Sequence, residues 1–186
     1  MSKFVKRILI SVASIIVIGF LSFFILKSNT KKHSPEHTIE HIARGVNYKV
    51  YYNRPYKKNR KIFGDLVPFD QVWRTGANEA TTFTMDHDIL IDGTTLKAGT
   101  YSLWTIPNIN SWKVIFNNHH YKWGVNFTDG KPAHDPAYDV LTIEVPVQPL
   151  LNVVEQFSIY FQNANDFTIL YLAWDQTAIA IPITLP

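Results

Sequence analysis

One short segment, residues 72–81, brings together three side chains whose types can do chemistry. Its sequence, VWRTGANEAT, places Arg74, Asn78 and Glu79 close together around Gly76. A guanidinium and an amide can hold a carboxylate or phosphate group, and a carboxylate in a damp cleft can act as a general acid or base. The same residues can also form a buried Arg74–Glu79 ion pair with a structural role. Ligand binding, hydrolysis and structural bracing therefore all remain open for this segment.

A second group consists of five cations in residues 54–61, namely Arg54, Lys57, Lys58, Arg60 and Lys61. Such a run can contact lipid headgroups, polyanionic glycans or nucleic acid, or it can be a solvated loop. Six of the 18 Lys and Arg residues lie at or before Lys32, so only 12 face the 15 Asp and Glu residues of the remainder. The basic balance belongs to the N-terminal end, and no nucleic-acid partner is predicted.

Aromatic side chains are numerous, and one of them stands apart. The chain has five Trp, nine Tyr and twelve Phe residues, most of which are expected in the core. Trp123 lies beside Gly124 in a long polar stretch, so we expect it to be exposed and to offer a face to a sugar ring or another ligand.

Metal and covalent chemistry receive less support from the sequence. His119, His120, His134 and Asp135 share one loop, but neighbouring residues of a strand point to opposite faces, and no His-Glu-x-x-His pattern occurs. Nucleophile elbows and phosphate-cradling glycine loops are also missing. The chain has no cysteine, which excludes disulfides and thiolate ligands. No metal site and no cofactor are predicted.

These candidate residues lie between segments with the two-residue period of half-buried strands. Turn signals such as Asp92-Gly93 separate the segments, and the loops 53–72 and 117–138 are unusually long. The pattern predicts an all-β domain, an antiparallel β-sandwich or partly closed barrel of about eight or nine strands. The clearest buried faces are Leu141, Ile143 and Val145; Phe157, Ile159 and Phe161; Leu170, Leu172 and Trp174; and Ile179, Ile181 and Ile183.

The N-terminus carries a membrane signal. Residues 8–26 contain no charge and no proline, and their length suits a helix that crosses a bilayer. A signal peptide has a shorter apolar region and a small-residue cleavage site, for which Ser28-Asn29-Thr30 is the sole candidate. We expect a tail at 1–7, an uncleaved single-pass signal anchor at 8–26, a tether at 27–45 and the β domain at 46–186. Cleavage followed by soluble export is the alternative.

The 72–81 segment resembles the hallmark of domain-of-unknown-function family 2911, a family of bacterial, mostly exported proteins. The likeness extends over about residues 46–183. The family pattern has Gly where Asn59 stands, and Asn tolerates the positive φ of such a turn. Similar pieces follow in the same order: Tyr52-Asn53-Arg54-Pro55, Arg60-Lys61-Ile62-Phe63-Gly64, Leu66-Val67-Pro68, Ala98-Gly99-Thr100-Tyr101-Ser102-Leu103, Ile106-Pro107, Trp123-Gly124 and Asp139-Val140-Leu141.

The resemblance implies an exported β fold and no particular activity, and it distinguishes Arg54 from the neighbouring lysines. We therefore expect a membrane-anchored, extracytoplasmic (periplasmic) domain that binds an envelope glycan, peptide or protein. A hydrolase that uses Glu79 with Arg74 and Asn78 is the alternative, and an envelope scaffold with an open edge strand is a third. The candidate ligand-binding residues are Arg54, Arg74, Asn78, Glu79 and Trp123.

Overall fold

The computed structural model describes residues 2–186 and divides into two compact units between His33 and Ser34. We call residues from Ser34 to Pro186 the β unit. The first unit is a single helix, α1 (Lys3–His33), of 31 residues. Its first 20 residues, Lys3–Ser22, are long and apolar enough to cross a membrane, a property that a signal sequence shares.

The helix extends beyond the apolar segment predicted from the sequence. Residues 27–33, expected to belong to a tether, form its last two turns. Lys31, Lys32 and His33 occupy the final turn, where cations interact favourably with the helix dipole. Pro35 follows the end of the helix, a common position for a residue that cannot continue it. The irregular connection between α1 and the first strand is thus only two residues long.

Nine antiparallel strands form the β unit, which confirms the predicted all-β class. The sheet is open, and its order is β1-β2-β3-β6-β7-β8-β9-β4-β5, so that β1 and β5 are the edges. The strands are β1 (Glu36–Ala43), β2 (Val46–Asn53), β3 (Thr81–Met85), β4 (Ile89–Ile91), β5 (Thr94–Leu96), β6 (Gly99–Pro107), β7 (Ser111–Asn117), β8 (Asp139–Ala164) and β9 (Phe167–Thr184).

Strand β1 lies where the sequence analysis placed the end of the tether, so the β unit begins earlier than residue 46. It pairs with β2 along its whole length, from Glu36 opposite Asn53 to Ala43 opposite Val46. Arg44 and Gly45 connect the two strands with φ angles of 53° and 81°, the left-handed pair that a two-residue hairpin requires. The expected Asp92-Gly93 hairpin between β4 and β5 has the same geometry.

The long strands β8 and β9 join the two halves of the sheet around one core. The first part of β8 pairs with β7, and its last part pairs with β9. All four predicted apolar faces point into the core, and Trp112 and Trp174 are almost fully buried there. The sheet is not closed into a barrel, which is consistent with the predicted β-sandwich or partly closed barrel.

One end of the β unit, which we call the stem end, is where the chain enters from α1. Here β1 begins at Glu36 opposite the last residue of β2. The Arg54 amide donates to Pro35 O at 2.8 Å, and the Lys57 amide donates to Glu155 O at 2.7 Å. The stem end therefore gathers the first residues of the unit, the start of the 54–72 loop and the middle of β8.

Candidate functional site

The 72–81 segment is held in a strained, irregular conformation at the stem end. Trp73 exchanges backbone hydrogen bonds with Thr105 of β6, and its indole Nε1 donates to Gly76 O at 3.1 Å. Buried Thr75 and Asn78 have φ angles of 55° and 57°, and such a φ is costly for a β-branched residue. A Cβ at Gly76 would lie 2.9 Å from Asn53 O. Close contact with the end of β2 therefore requires glycine there.

Asn78 and Glu79 both bind Asn53, which is completely buried at the end of β2. Asn78 Nδ2 donates to Asn53 Oδ1 at 3.3 Å, and Asn53 Nδ2 donates to Glu79 Oε2 at 2.9 Å. Asn78 Nδ2 also donates to Ser34 O at 3.4 Å. Asn78 thus connects the first residue of the β unit with the end of β2, and Glu79 binds the same Asn53 side chain.

Arg54 has a bracing role as well. Its Nε donates to Phe157 O at 3.1 Å, and a terminal nitrogen donates to Ser158 Oγ at 2.9 Å. The guanidinium therefore ties β2 to β8 across the stem end through charge-assisted bonds. In the loop that follows, Asn59 has a φ of 58°, the positive φ expected where the family pattern has Gly.

Arg74 differs from Arg54 because its guanidinium has no partner. The residue is half-buried, and its Nε is sealed from solvent without a hydrogen bond. Within the part of the chain that the structure describes, the guanidinium forms neither an ion pair nor a hydrogen bond. Burial lowers the pKa of Arg74, and no neighbouring carboxylate offsets this effect. The Arg74–Glu79 ion pair considered from the sequence is not formed.

The hydrocarbon stem of Arg74 packs tightly against the long 118–138 loop. A Cβ at Gly124 would lie 2.1 Å from Arg74 Cδ and 2.7 Å from Arg74 Cβ. The Gly124 amide donates to Asn78 O at 2.8 Å, and the Gly124 carbonyl accepts from the Ala133 amide at 3.2 Å. Gly124 therefore lets the loop backbone lie directly on the arginine, and it fixes the course of the side chain.

Trp123 precedes this contact and is half-buried, less exposed than the sequence suggested. Its ring stacks on Phe127, with centroids 5.9 Å apart and an interplanar angle of 27°. Phe127 is 80% exposed. The loop that covers Arg74 thus carries an aromatic pair with one face open to solvent.

The remainder of the 118–138 loop is anchored by a polar network around Asn117, the last residue of β7. Asn117 Nδ2 donates to Asp139 Oδ1 at 2.7 Å, and Tyr121 OH donates to Asn117 Oδ1 at 3.2 Å. His134 Nε2 contacts the same Asp139 oxygen at 2.7 Å. Among residues 2–186, no three His, Asp or Glu side chains are placed to hold a metal ion. Of the three histidines in this loop, His134 takes part in the polar network through its side chain.

Two residues important for this geometry were not among the predicted site residues. Asn53 connects Asn78 with Glu79, and Gly124 supports Arg74. Both belong to pieces that carry the family resemblance, Tyr52-Asn53-Arg54-Pro55 and Trp123-Gly124. A signal was therefore present for each residue, but spacing along the chain could not show which side chains they contact.

Comparison with known proteins gives a family and no individual relative. No curated protein and no solved structure matches the chain. A family model described as "Protein of unknown function (DUF2911)" matches residues 34–183, and the match begins at the first residue of the β unit. This match covers most of the chain, including the 72–81 segment, and the chain therefore belongs to the DUF2911 family.

Proposed function

We propose that this chain is a membrane-anchored, extracytoplasmic domain that binds an envelope ligand through an acidic group held by Arg74. The observation that carries the proposal is the half-buried guanidinium whose Nε is sealed and unpaired. The ligand chemistry is a carboxylate or phosphate on a glycan, peptide or protein.

A buried cation without a partner costs free energy that folded proteins normally avoid. Arg54 shows the usual solution in this same fold, since its guanidinium bonds two acceptors on β8. Arg74 has no such acceptors, and its residue keeps part of its surface open. A bound carboxylate or phosphate would supply the missing acceptor, and the planar fork of arginine suits either group.

The neighbouring loop adds an apolar contact to this charge. Trp123 directly precedes Gly124, and the exposed Phe127 ring extends the aromatic surface away from it. Aromatic faces pack against sugar rings and apolar side chains, whereas the guanidinium selects ligands that carry a negative charge. A ligand that carries an acidic group next to a ring or an apolar moiety fits both features.

Attachment to a membrane is supported by α1, whose apolar stretch is long enough to span a bilayer. The family resemblance to exported proteins favours an extracytoplasmic β unit. The structure offers the hydrolase alternative no comparable support. Asn78 and Glu79 are engaged with Asn53, and the Arg74 guanidinium forms no hydrogen bond or ion pair with either side chain.

Ligand-induced stabilisation tests the binding proposal. The full chain in detergent micelles is melted with inorganic phosphate, acetate, glucuronate or neutral glucose, and the melting temperature is followed by Trp fluorescence. We expect at least one of the three anions to raise the melting temperature, and glucose to have no effect. Arg74→Met should abolish the rise, and Lys113→Met, which removes an exposed cation elsewhere, should preserve it.

Equal stabilisation of the wild type and Arg74→Met by every anion would contradict the proposal. So would no response of the wild type to any of the three. Membrane anchoring is tested separately by carbonate extraction and protease protection of the full chain. Release of the intact chain into the soluble fraction would contradict anchoring.

A further inference from the structure

We infer that the stem end of the β unit docks onto an anionic lipid surface, with the exposed side chain of Leu151 inserted among the lipids. This inference rests on the proposed membrane anchoring, but not on ligand binding at Arg74. It concerns residues 150–153 of β8, which we call the apolar finger, and the neighbouring cations of the 54–61 run.

The apolar finger projects from the sheet because β8 is longer than its partner at this point. Pro149 pairs with Thr177, and Val154 pairs with Asp175, so four residues of β8 face the single residue Gln176 of β9. The excess residues bulge out of the ladder. Three of the four are apolar, and Leu151 is 97% exposed while Val153 is 50% exposed.

A leucine exposed to this degree has no role in the core of its own chain. Contiguous exposed apolar surface marks contact with a partner or a membrane, and the exposed side chains of Leu151 and Val153 lie two residues apart in the finger. The charges of the residues around the finger distinguish a protein partner from a membrane. A lipid surface with negative headgroups requires cations beside the inserted residues.

Such cations lie directly beside the finger. The Lys57 amide donates to Glu155 O, which places the basic run against the residues that follow the finger. The Lys57 ammonium is paired with Asp175 at 2.6 Å. Lys58, Arg60 and Lys61 lie at the surface. Arg60 Nε donates to Lys57 O at 3.0 Å, and Lys61 lines a pocket together with Gln176 and Thr177.

The covalent chain keeps a membrane close to this end. The β unit begins at Ser34, whose carbonyl accepts from Asn78 at the stem end. Only residues 27–33 separate Ser34 from the apolar segment 8–26. Even fully extended, seven residues span at most about 25 Å. If residues 8–26 lie in a bilayer, the chain holds the stem end within reach of its headgroups.

Lipid contact can be measured at single sites because the chain contains no cysteine. Full-length Leu151→Cys and Ile42→Cys are labelled with the fluorophore NBD and reconstituted into nanodiscs. The discs contain phosphatidylcholine alone or equal parts phosphatidylcholine and phosphatidylglycerol. Ile42 is a matched control, because it is 72% exposed near the opposite end of β1.

We expect NBD at position 151 to emit at shorter wavelength in the anionic discs, and to be quenched by lipids with spin labels just below the headgroups. The label at position 42 should stay in a water-like environment. Lys61→Gln should weaken quenching at position 151 several-fold, and Lys97→Gln, at an exposed lysine near the opposite end, should leave it unchanged. Added salt should have the same effect as Lys61→Gln.

The outcomes separate this inference from the proposed anchoring. If the chain does not incorporate into discs, both the anchoring and the docking proposals are wrong. If it incorporates and the label at position 151 is not quenched, only the docking inference is overturned. A blue-shifted label that lipid-borne quenchers do not reach would show that protein covers the finger, which also overturns lipid docking.

Discussion

Replacing Arg74 with Met should increase the free energy of unfolding, whereas the same replacement at Arg54 should decrease it. Methionine keeps most of the length of the arginine side chain and removes its charge, so the two variants test the guanidinium groups alone. The opposite signs follow from the different surroundings of two arginines in one fold.

The magnitudes follow from the hydrogen bonds. A buried polar group without a partner costs about 1–3 kcal/mol, and Arg74 Nε is sealed without one. Because the residue keeps part of its surface in water, we expect Arg74→Met to gain about 1 kcal/mol. Arg54→Met removes two bonds, to Phe157 O and Ser158 Oγ, and a bond to a charged group contributes about 1.5–3 kcal/mol. Because Arg54 is partly exposed and solvent weakens its bonds, we expect Arg54→Met to lower the free energy of unfolding by about 1–3 kcal/mol.

Because arginine stays protonated through the neutral range, the gain in unfolding free energy of Arg74→Met should not depend on pH around neutrality. Burial lowers the pKa of Arg74 in the folded state, so the penalty of the buried charge is present below that lowered pKa. It is relieved only as the pH rises through the folded pKa toward the unfolded value, far above neutrality. A stability difference between Arg74→Met and the wild type that changes near pH 7 would indicate an interaction with another titrating group.

Urea unfolding of the full chain in detergent micelles measures both effects. All five Trp residues lie in the β unit, so Trp fluorescence reports its unfolding without a signal from α1. The midpoint should move to higher urea for Arg74→Met and to lower urea for Arg54→Met, with unchanged slopes. If both variants were destabilised to a similar extent, Arg74 would have an intramolecular role, and the reasoning that led to an anionic ligand would be refuted.

Two further predictions concern the surroundings of the site and are checked by urea unfolding, and a third concerns Asp86, near the opposite end of β1, and is checked by thermal unfolding. Gly124→Ala should cost about 1–3 kcal/mol by overpacking against Arg74, whereas Gly99→Ala, where a Cβ would meet nothing closer than 3.7 Å, should cost less; equal costs would contradict the packing argument. Asn53→Ala should lower the free energy of unfolding by about 1–3 kcal/mol, because the buried amide of Asn53 bonds Asn78 and Glu79. An unchanged free energy of unfolding would show that these bonds do not brace the stem end. Hydrogen bonds from the side chains of Asn47 and His87 lower the pKa of Asp86. The contribution of Asp86 to stability is therefore present above about pH 4 and is lost as the pH falls further. Asp86→Asn should make the melting temperature depend less on pH below about pH 4, and an unchanged dependence would contradict this.

The strand faces were predictable because one side of each strand is buried. Leu141, Ile143 and Val145 alternate with exposed residues, and burial follows this alternation. Strand β1 gave no such pattern, because it is an edge strand on which only Ala43 is buried. The Arg44-Gly45 pair closes its hairpin with β2 but was not among the turns predicted from the sequence, and such a pair identifies a turn rather than the strand that precedes it.

The site was predictable as a segment but not as a set of contacts. The types and spacing of residues 72–81 drew attention to the segment, and the structure gives Thr75, Gly76 and Asn78 positive φ angles. Spacing also suggested an Arg74–Glu79 pair. The strained backbone instead directs Glu79 to Asn53, 26 residues earlier in the chain, and brings Arg74 against Gly124. Such long-range contacts depend on how the loops cross the sheet, which local periodicity does not encode.

The strain and the unpaired charge in the 72–81 segment are best considered together. Within residues 2–186, three sealed side-chain atoms lack a hydrogen-bond partner, namely Arg74 Nε, Trp112 Nε1 and Thr168 Oγ1, and only the first belongs to a charged group. Thr75 adds a backbone conformation that is unfavourable for a β-branched residue. Both costs occur in one short segment, whereas the guanidinium of Arg54 nearby donates two hydrogen bonds. A structural segment could replace Arg74 by an apolar residue and gain stability, so the arginine requires an explanation outside the fold itself. An anionic ligand provides one. If Arg74→Met both increases the stability of the chain and abolishes anion binding, a single variant would show that the arginine costs stability and serves binding.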